Sequence, residues 1–101
     1  GGENISSIEV EGVLHAHPKV SDVAVVGVQD DRWGERPVAF VVTEAGAQVT
    51  ADELRAHCRQ SLAGFKVPDR VEFVQELPRT ATGKIRKNTL RALQDGSPAV
   101  G

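Results

Sequence analysis

The stretch VSDVAVVGV, residues 20–28, decides the fold. Its β-branched residues predict a strand. Val23, Ala24, Val25 and Val26 form an unbroken apolar run, so both faces of that strand are expected to be covered. A second strand follows at 37–43, PVAFVVT, after the polar connection DDRWG at 30–34. Two strands joined by so short a link favour antiparallel pairing.

On the N-terminal side, Ser6-Ser7-Ile8-Glu9 reads as a capping box, with Ile5 and Val10 placed as a hydrophobic staple. A helix is expected from Ser7 to Ala16, with Ile8, Val10, Val13 and Leu14 as its apolar surface, closed by Pro18. On the C-terminal side the capping pattern repeats. Thr50 stands three residues before Glu53, and Val49 and Leu54 are placed as a staple. A second helix is expected over 51–62, with Leu54, Cys58 and Leu62 on one stripe. Gly64-Phe65-Lys66-Val67-Pro68 breaks it. A short third strand at 71–74, a loop at 77–84 and a final helix at 85–93, with Leu90 and Leu93 inward, complete the chain. The fold class is α+β: a small sheet of about three strands, mainly antiparallel, with helices packed on it.

The 101 residues suit one domain, expected over 1–93, with 94–101 as a disordered tail. Apolar residues are 40% and charged residues 26%, a globular balance. Net charge is −2, which gives no global pull toward nucleic acid. The distribution is less even. Arg79, Lys84, Arg86, Lys87 and Arg91 place five of the twelve Lys and Arg within thirteen residues that hold no acid. That is an anion site or a solvated basic face. Cys58 is the only cysteine, which excludes an internal disulfide and is consistent with a reducing compartment. No apolar run reaches the ~20 residues of a membrane span. The opening Gly1-Gly2 reads as a cut inside a longer chain.

Four features are candidates for chemistry. Thr80-Ala81-Thr82-Gly83-Lys84 sets a mobile cation beside a glycine that permits φ > 0. It is not a Walker loop, because the first Gly is missing at the required spacing and Ile85 replaces Ser or Thr. On residue type alone it is a phosphate-handling lysine or a surface turn. Trp33, the only tryptophan, sits in a polar loop as a core, lid or stacking residue. Phe65-Lys66 sets an aromatic ring beside a cation, or is a packed ring beside a solvated charge. His15, His17 and His57 lack a third ligand at sensible spacing, so no metal site is assigned.

Together GGENI (1–5), IEVEGVLHAHPKVSDVAVVGVQD (8–30), WGERPVAFVV (33–42), LAGFKVP (62–68) and LPRTATGKIRKNTL (77–90) resemble the C-terminal domain of AMP-forming acyl-CoA synthetases, in the adenylate-forming superfamily. The resemblance runs in order over nearly the whole chain, and GGENI favours the CoA-using branch over peptide-synthetase adenylation domains. It implies an ATP-dependent acid–CoA ligase. A separate N-terminal adenylation domain would bind ATP, Mg²⁺ and the acid, and this chain would be the mobile lid. By position Lys84 is the catalytic lysine of acyl-adenylate formation. Gly1, Gly2 and Glu3 would line the CoA passage, and Trp33, Phe65, Lys66 and Val67 would contact CoA. Some members carry a basic residue where Val67 stands, so phosphate contact at that stretch is expected to rest on Lys66. The family's hinge residue would precede Gly1, so this chain alone is expected to be inactive. Pro78 to Lys84 also fits a pattern acetylated by protein acetyltransferases and reversed by deacetylases. A cytoplasmic location is expected. Two other readings remain: a lid that hands acyl-adenylate to a carrier protein, and a non-catalytic α+β interaction module.

Overall fold

The computed structural model describes residues 7–30 and 34–94. The elements run α1 (Ser7–His15), β1 (Val20–Asp30), β2 (Gly34–Thr43), α2 (Ala51–Arg59), a 3-10 turn (Gly64–Lys66), β3 (Arg70–Phe73) and α3 (Lys87–Gln94). The sheet order is β1-β2-β3. β1 and β2 pair antiparallel, from Val20 with Thr43 to Asp30 with Gly34. The ladder is irregular between Val20 and Asp22, where Ser21 is the extra residue. Both strands run further toward their connection than expected, because the pairing continues past Val28 and Pro37.

β3 joins β2 in parallel, from Val38 with Arg70 to Val41 with Phe73. The sheet is therefore mixed rather than purely antiparallel. A parallel pair needs a long crossover, and the segment carrying α2 supplies it. The α2 cap forms as its sequence predicts: the Thr50 hydroxyl accepts from the Glu53 N–H at 3.1 Å. Val49 packs against the same cluster as Leu54, in keeping with a staple. The Ser6 cap and its Ile5 partner lie outside the described residues.

The alternation of β1 and β2 divides the core in two. Val23, Val25, Ala39 and Val41 face α1 and α2, joined by Val10, Leu14, Leu54, Cys58, Leu62, Val67 and Val71. Ala24, Val26, Val38 and Phe40 face the opposite way and pack with Leu77 and Leu90. The unbroken apolar run in β1 is thus explained by two covered faces. α2 ends at Arg59 rather than Leu62, yet Leu62 stays buried because its N–H still bonds the Cys58 carbonyl at 2.8 Å.

Three expectations about the helices need correction. α1 ends at His15 and buries Val10 and Leu14, but Ile8 is 80% exposed. α3 begins at Lys87, because Ile85 pairs with Arg79 in a β-bridge instead. Leu90 is buried as expected, whereas Leu93 is 48% exposed and does not face inward.

β1 is an edge strand, and its outer side is met by side chains. The Val25 N–H donates to Glu11 Oε2 at 2.8 Å. The Gly27 carbonyl accepts from Arg91 Nε at 3.3 Å. Glu11 Oε2 also pairs with Lys87 Nζ at 2.9 Å, which ties α1 to the start of α3. Among the described residues no helix is long and apolar enough to cross a membrane.

Candidate functional site

Lys84 sits on a small hairpin. Arg79 and Ile85 form an antiparallel bridge, and the Thr80 N–H donates to the Lys84 carbonyl at 2.7 Å. The turn closes through the Gly83 N–H on the Thr80 carbonyl at 2.9 Å. Gly83 has φ +92, a left-handed conformation that a Cβ would strain. This is why the turn places glycine immediately before the lysine. The Thr80 hydroxyl accepts from the Lys84 N–H at 3.1 Å.

Arg79 holds this hairpin to the sheet. One guanidinium nitrogen donates to the Gly83 carbonyl at 2.8 Å, and the other pairs with Asp22 on β1. Arg86 Nε donates to the Arg79 carbonyl at 3.3 Å. The backbone around Lys84 is thereby fixed from several sides. Its ammonium is exposed, and no described residue bonds or pairs with it. A fixed backbone carrying an uncommitted cation is suited to meet an anion brought from outside the domain.

Phe65, Lys66 and Val67 belong to the 3-10 turn and the residue after it. Phe65 is 62% exposed. Lys66 Nζ lies 5.7 Å from the Phe65 ring centroid and pairs with Glu9 Oε1 at 2.7 Å. Val67 is buried in the cluster beneath α1 and α2, so its side chain is core rather than surface. The turn thus presents a ring, while its lysine is already engaged.

The two stretches lie on opposite sides of the sheet. Leu77 and Ile85, which flank the hairpin, pack on the Phe40 face. Val67, which follows the turn, packs on the α1 and α2 face. Sequence order put these stretches only about twenty residues apart, yet the fold does not bring them together. Gly1, Gly2, Glu3 and Trp33 lie outside the described residues.

His17 and His57 serve structure. The rings of His17 and His57 meet edge to face, 5.0 Å between centroids. His57 Nε2 lies 2.8 Å from the Val13 carbonyl, and His17 Nδ1 accepts from the Lys19 N–H at 3.1 Å. Burial, then His57 and Lys19 beside it, hold the His17 pKa below its ordinary value. Burial also pushes the Cys58 thiol up to about 11, which makes it a poor nucleophile.

Sequence reasoning missed two arrangements. Asp22 and Arg79 are 57 residues apart, and only the packing of the hairpin on β1 joins them. Arg36, Arg55 and Arg59 line one pocket with the 64–69 segment. The i,i+4 spacing of Arg55 and Arg59 was visible in the sequence, but nothing there placed Arg36 beside them.

Comparison with known proteins agrees with this architecture. Residues 9–84 match the family described as AMP-binding enzyme C-terminal domain. Trans-cinnamate:CoA ligase of Petunia hybrida, named as peroxisomal, is 47% identical over 93 residues, covering 92% of this chain and 16% of that protein. The 2-succinylbenzoate–CoA ligase of Geobacillus kaustophilus is also 47% identical, over 92% of this chain and 19% of its own length. The amide bond synthetase McbA of Marinactinospora thermotolerans superposes with a TM-score of 0.85 at 44% identity, over 89% of this chain and 18% of that one. The chain therefore spans less than one fifth of the length of these relatives. With the family matched across both faces of the sheet, this chain belongs to the AMP-binding enzyme C-terminal domain family.

Proposed function

We propose that residues 1–93 act as the mobile C-terminal domain of an ATP-dependent acid–CoA ligase. In the first half-reaction the acid's carboxylate attacks the α-phosphorus of ATP and pyrophosphate leaves. Lys84 places its ammonium where negative charge crowds in that transition state. In the second, the CoA thiol attacks the acyl carbonyl and AMP leaves. For that step the domain turns its other face inward, and Gly1, Gly2, Glu3, Trp33 and the 65–67 turn border the CoA passage. Mg²⁺ is assigned to the N-terminal domain, as the family resemblance implies.

The observation that carries this reading is the division by the sheet. The Lys84 cation, with which no described residue pairs, and the exposed ring of Phe65 belong to opposite faces, so a single docking pose does not present both equally. Two half-reactions need two poses. Acetylation of the exposed Lys84 ammonium would remove its charge and silence the first step.

A second reading is favoured by one finding. The relative titled an amide bond synthetase matches this chain as well as CoA ligases do, so the adenylate could pass to an amine or a carrier-bound thiol. The test is the acceptor. The intact enzyme, given its acid, ATP and CoA, is expected to release acyl-CoA and AMP in equal amounts. Accumulation of acyl-adenylate with CoA untouched would overturn the ligase reading.

A further inference from the structure

The β1 ladder is irregular at its start, and the irregularity decides where Asp22 points. Val20 lies opposite Thr43 and belongs to the α1 and α2 cluster. Asp22 lies opposite Val42, which packs with the Phe40 cluster beneath the hairpin. In a regular strand residues 20 and 22 share a face. Ser21, the extra residue, puts them on opposite faces. Without it, either Val20 would leave the core in which it is buried, or Asp22 would turn away from the hairpin.

Both oxygens of Asp22 are used. Oδ1 accepts from the Val23 N–H at 2.9 Å, and Oδ2 pairs with Arg79. The first contact holds the carboxylate against its own strand, and the second passes that position on. Arg79 in turn donates to the Gly83 carbonyl at 2.8 Å. The Lys84 N–H, at the other end of the same peptide unit, donates to the Thr80 hydroxyl at 3.1 Å. A peptide unit is planar, so bonds at both ends fix its orientation. The Lys84 Cα lies in that plane, and the side chain departs from it.

Gly83 is where such control is needed. Its φ of +92 suits glycine, the residue that moves most readily between conformations. A turn built on it lets the 83–84 peptide tip unless that peptide is held. The Arg79–Asp22 pair is half-exposed, at 43% and 35%, so its worth to global stability is small. Its place, between a strand and the carbonyl that precedes the lysine, suits it to fixing a direction.

We propose that Asp22 is a positioning residue for Lys84, acting through Arg79 on the Gly83–Lys84 peptide, and that the Ser21 bulge aims it there. The proposal rests on the reading of Lys84 as the lysine of acyl-adenylate formation.

The test is Asp22→Asn, which removes the charge and leaves a single oxygen for the Val23 N–H and Arg79. In this chain, amide relaxation by NMR is expected to show Gly83 and Lys84 losing order on the ps–ns scale, with the urea midpoint nearly unchanged. In the intact enzyme, kcat for acyl-adenylate formation is expected to fall about fivefold, the scale of one exposed charged pair, with KM for ATP unchanged. Adding Arg79→Gln should cost no more than the larger single loss, because both residues act in one chain of contacts. Lys84→Ala separates positioning from structure: in that background Asp22→Asn should cause no further loss. A loss that persists there overturns the proposal, as does unchanged order at Gly83 and Lys84. If Lys84→Ala leaves adenylation intact, the catalytic reading of the lysine fails, while loss of order in Asp22→Asn still identifies Asp22 as what holds the 83–84 peptide.

Discussion

The hairpin at 79–85 and the turn at 64–67 solve opposite problems. In the hairpin the backbone is bonded from many sides and no described residue pairs with the lysine. In the turn the lysine is committed to Glu9 and the phenylalanine is left bare. One loop offers a charge from a fixed base. The other offers a surface, and keeps its charge occupied. Electrostatic help at a transition state needs a cation whose position is set before reaction, because reorganisation would cost part of the gain. Sheathing a long neutral chain needs only exposed apolar area. The structural difference thus matches the difference between the two chemical jobs proposed for them.

The largest test is Lys84→Ala in the intact enzyme. Acyl-adenylate formation is expected to fall by about 10²–10³-fold, the scale for loss of one transition-state partner. Thioester formation from supplied acyl-adenylate should be spared. Phe65→Ala should show the reverse pattern, a higher KM for CoA with adenylation intact. Equal losses in both half-reactions for either variant would break the comparison.

Next is Leu90→Ala, which empties a buried site beneath the hairpin face. Urea denaturation should show about 2–5 kcal/mol lost. Ile8→Ala, at an exposed position of similar size, should stay within about 0.5 kcal/mol. Arg79→Gln removes the clasp between Gly83 and Asp22. Adenylation is expected to drop about fivefold, a modest figure because Arg79 is 43% exposed and such pairs are weak. The thioester step should not change. Arg79→Lys should rescue only in part, since an ammonium cannot bridge both partners as a fork does. A drop in both steps would make Arg79 a general stability residue instead.

The smallest effect concerns His17. Its folded pKa lies below the ordinary 6.5, chiefly through burial. The unfolded chain therefore takes up the proton first as pH falls. The contribution of His17 is full above pH 6.5 and is lost as pH drops through that value toward its lower folded pKa. His17→Gln should flatten the fall of stability between neutral and mildly acid pH. A steeper fall in the variant would contradict the sign.

Most of the fold was legible from local patterns. The apolar run at 23–26 announced a strand covered twice, and Thr50 with Glu53 announced the start of α2. The parallel seating of β3 was not legible, because four residues carry no register signal beyond their own alternation. Ile85 was read as helix since it precedes a helical stretch, but its bridge to Arg79 is a long-sighted consequence of the glycine turn between them. At the candidate site, Gly83 and Lys84 were visible as types. What holds them was not. Asp22 looked like any polar residue at the start of a strand, and Lys66 looked free until α1 was seen to lay Glu9 beside it.

The dressing of β1 has one more consequence. An open strand edge is a template on which a second chain can add. Here the Val25 N–H and the Gly27 carbonyl already hold a carboxylate and a guanidinium. An incoming strand would have to displace both charged groups before it gained its first hydrogen bond. In the proposed rotation between two docked poses this edge would meet solvent, and Glu11 and Arg91 are the groups that already occupy it.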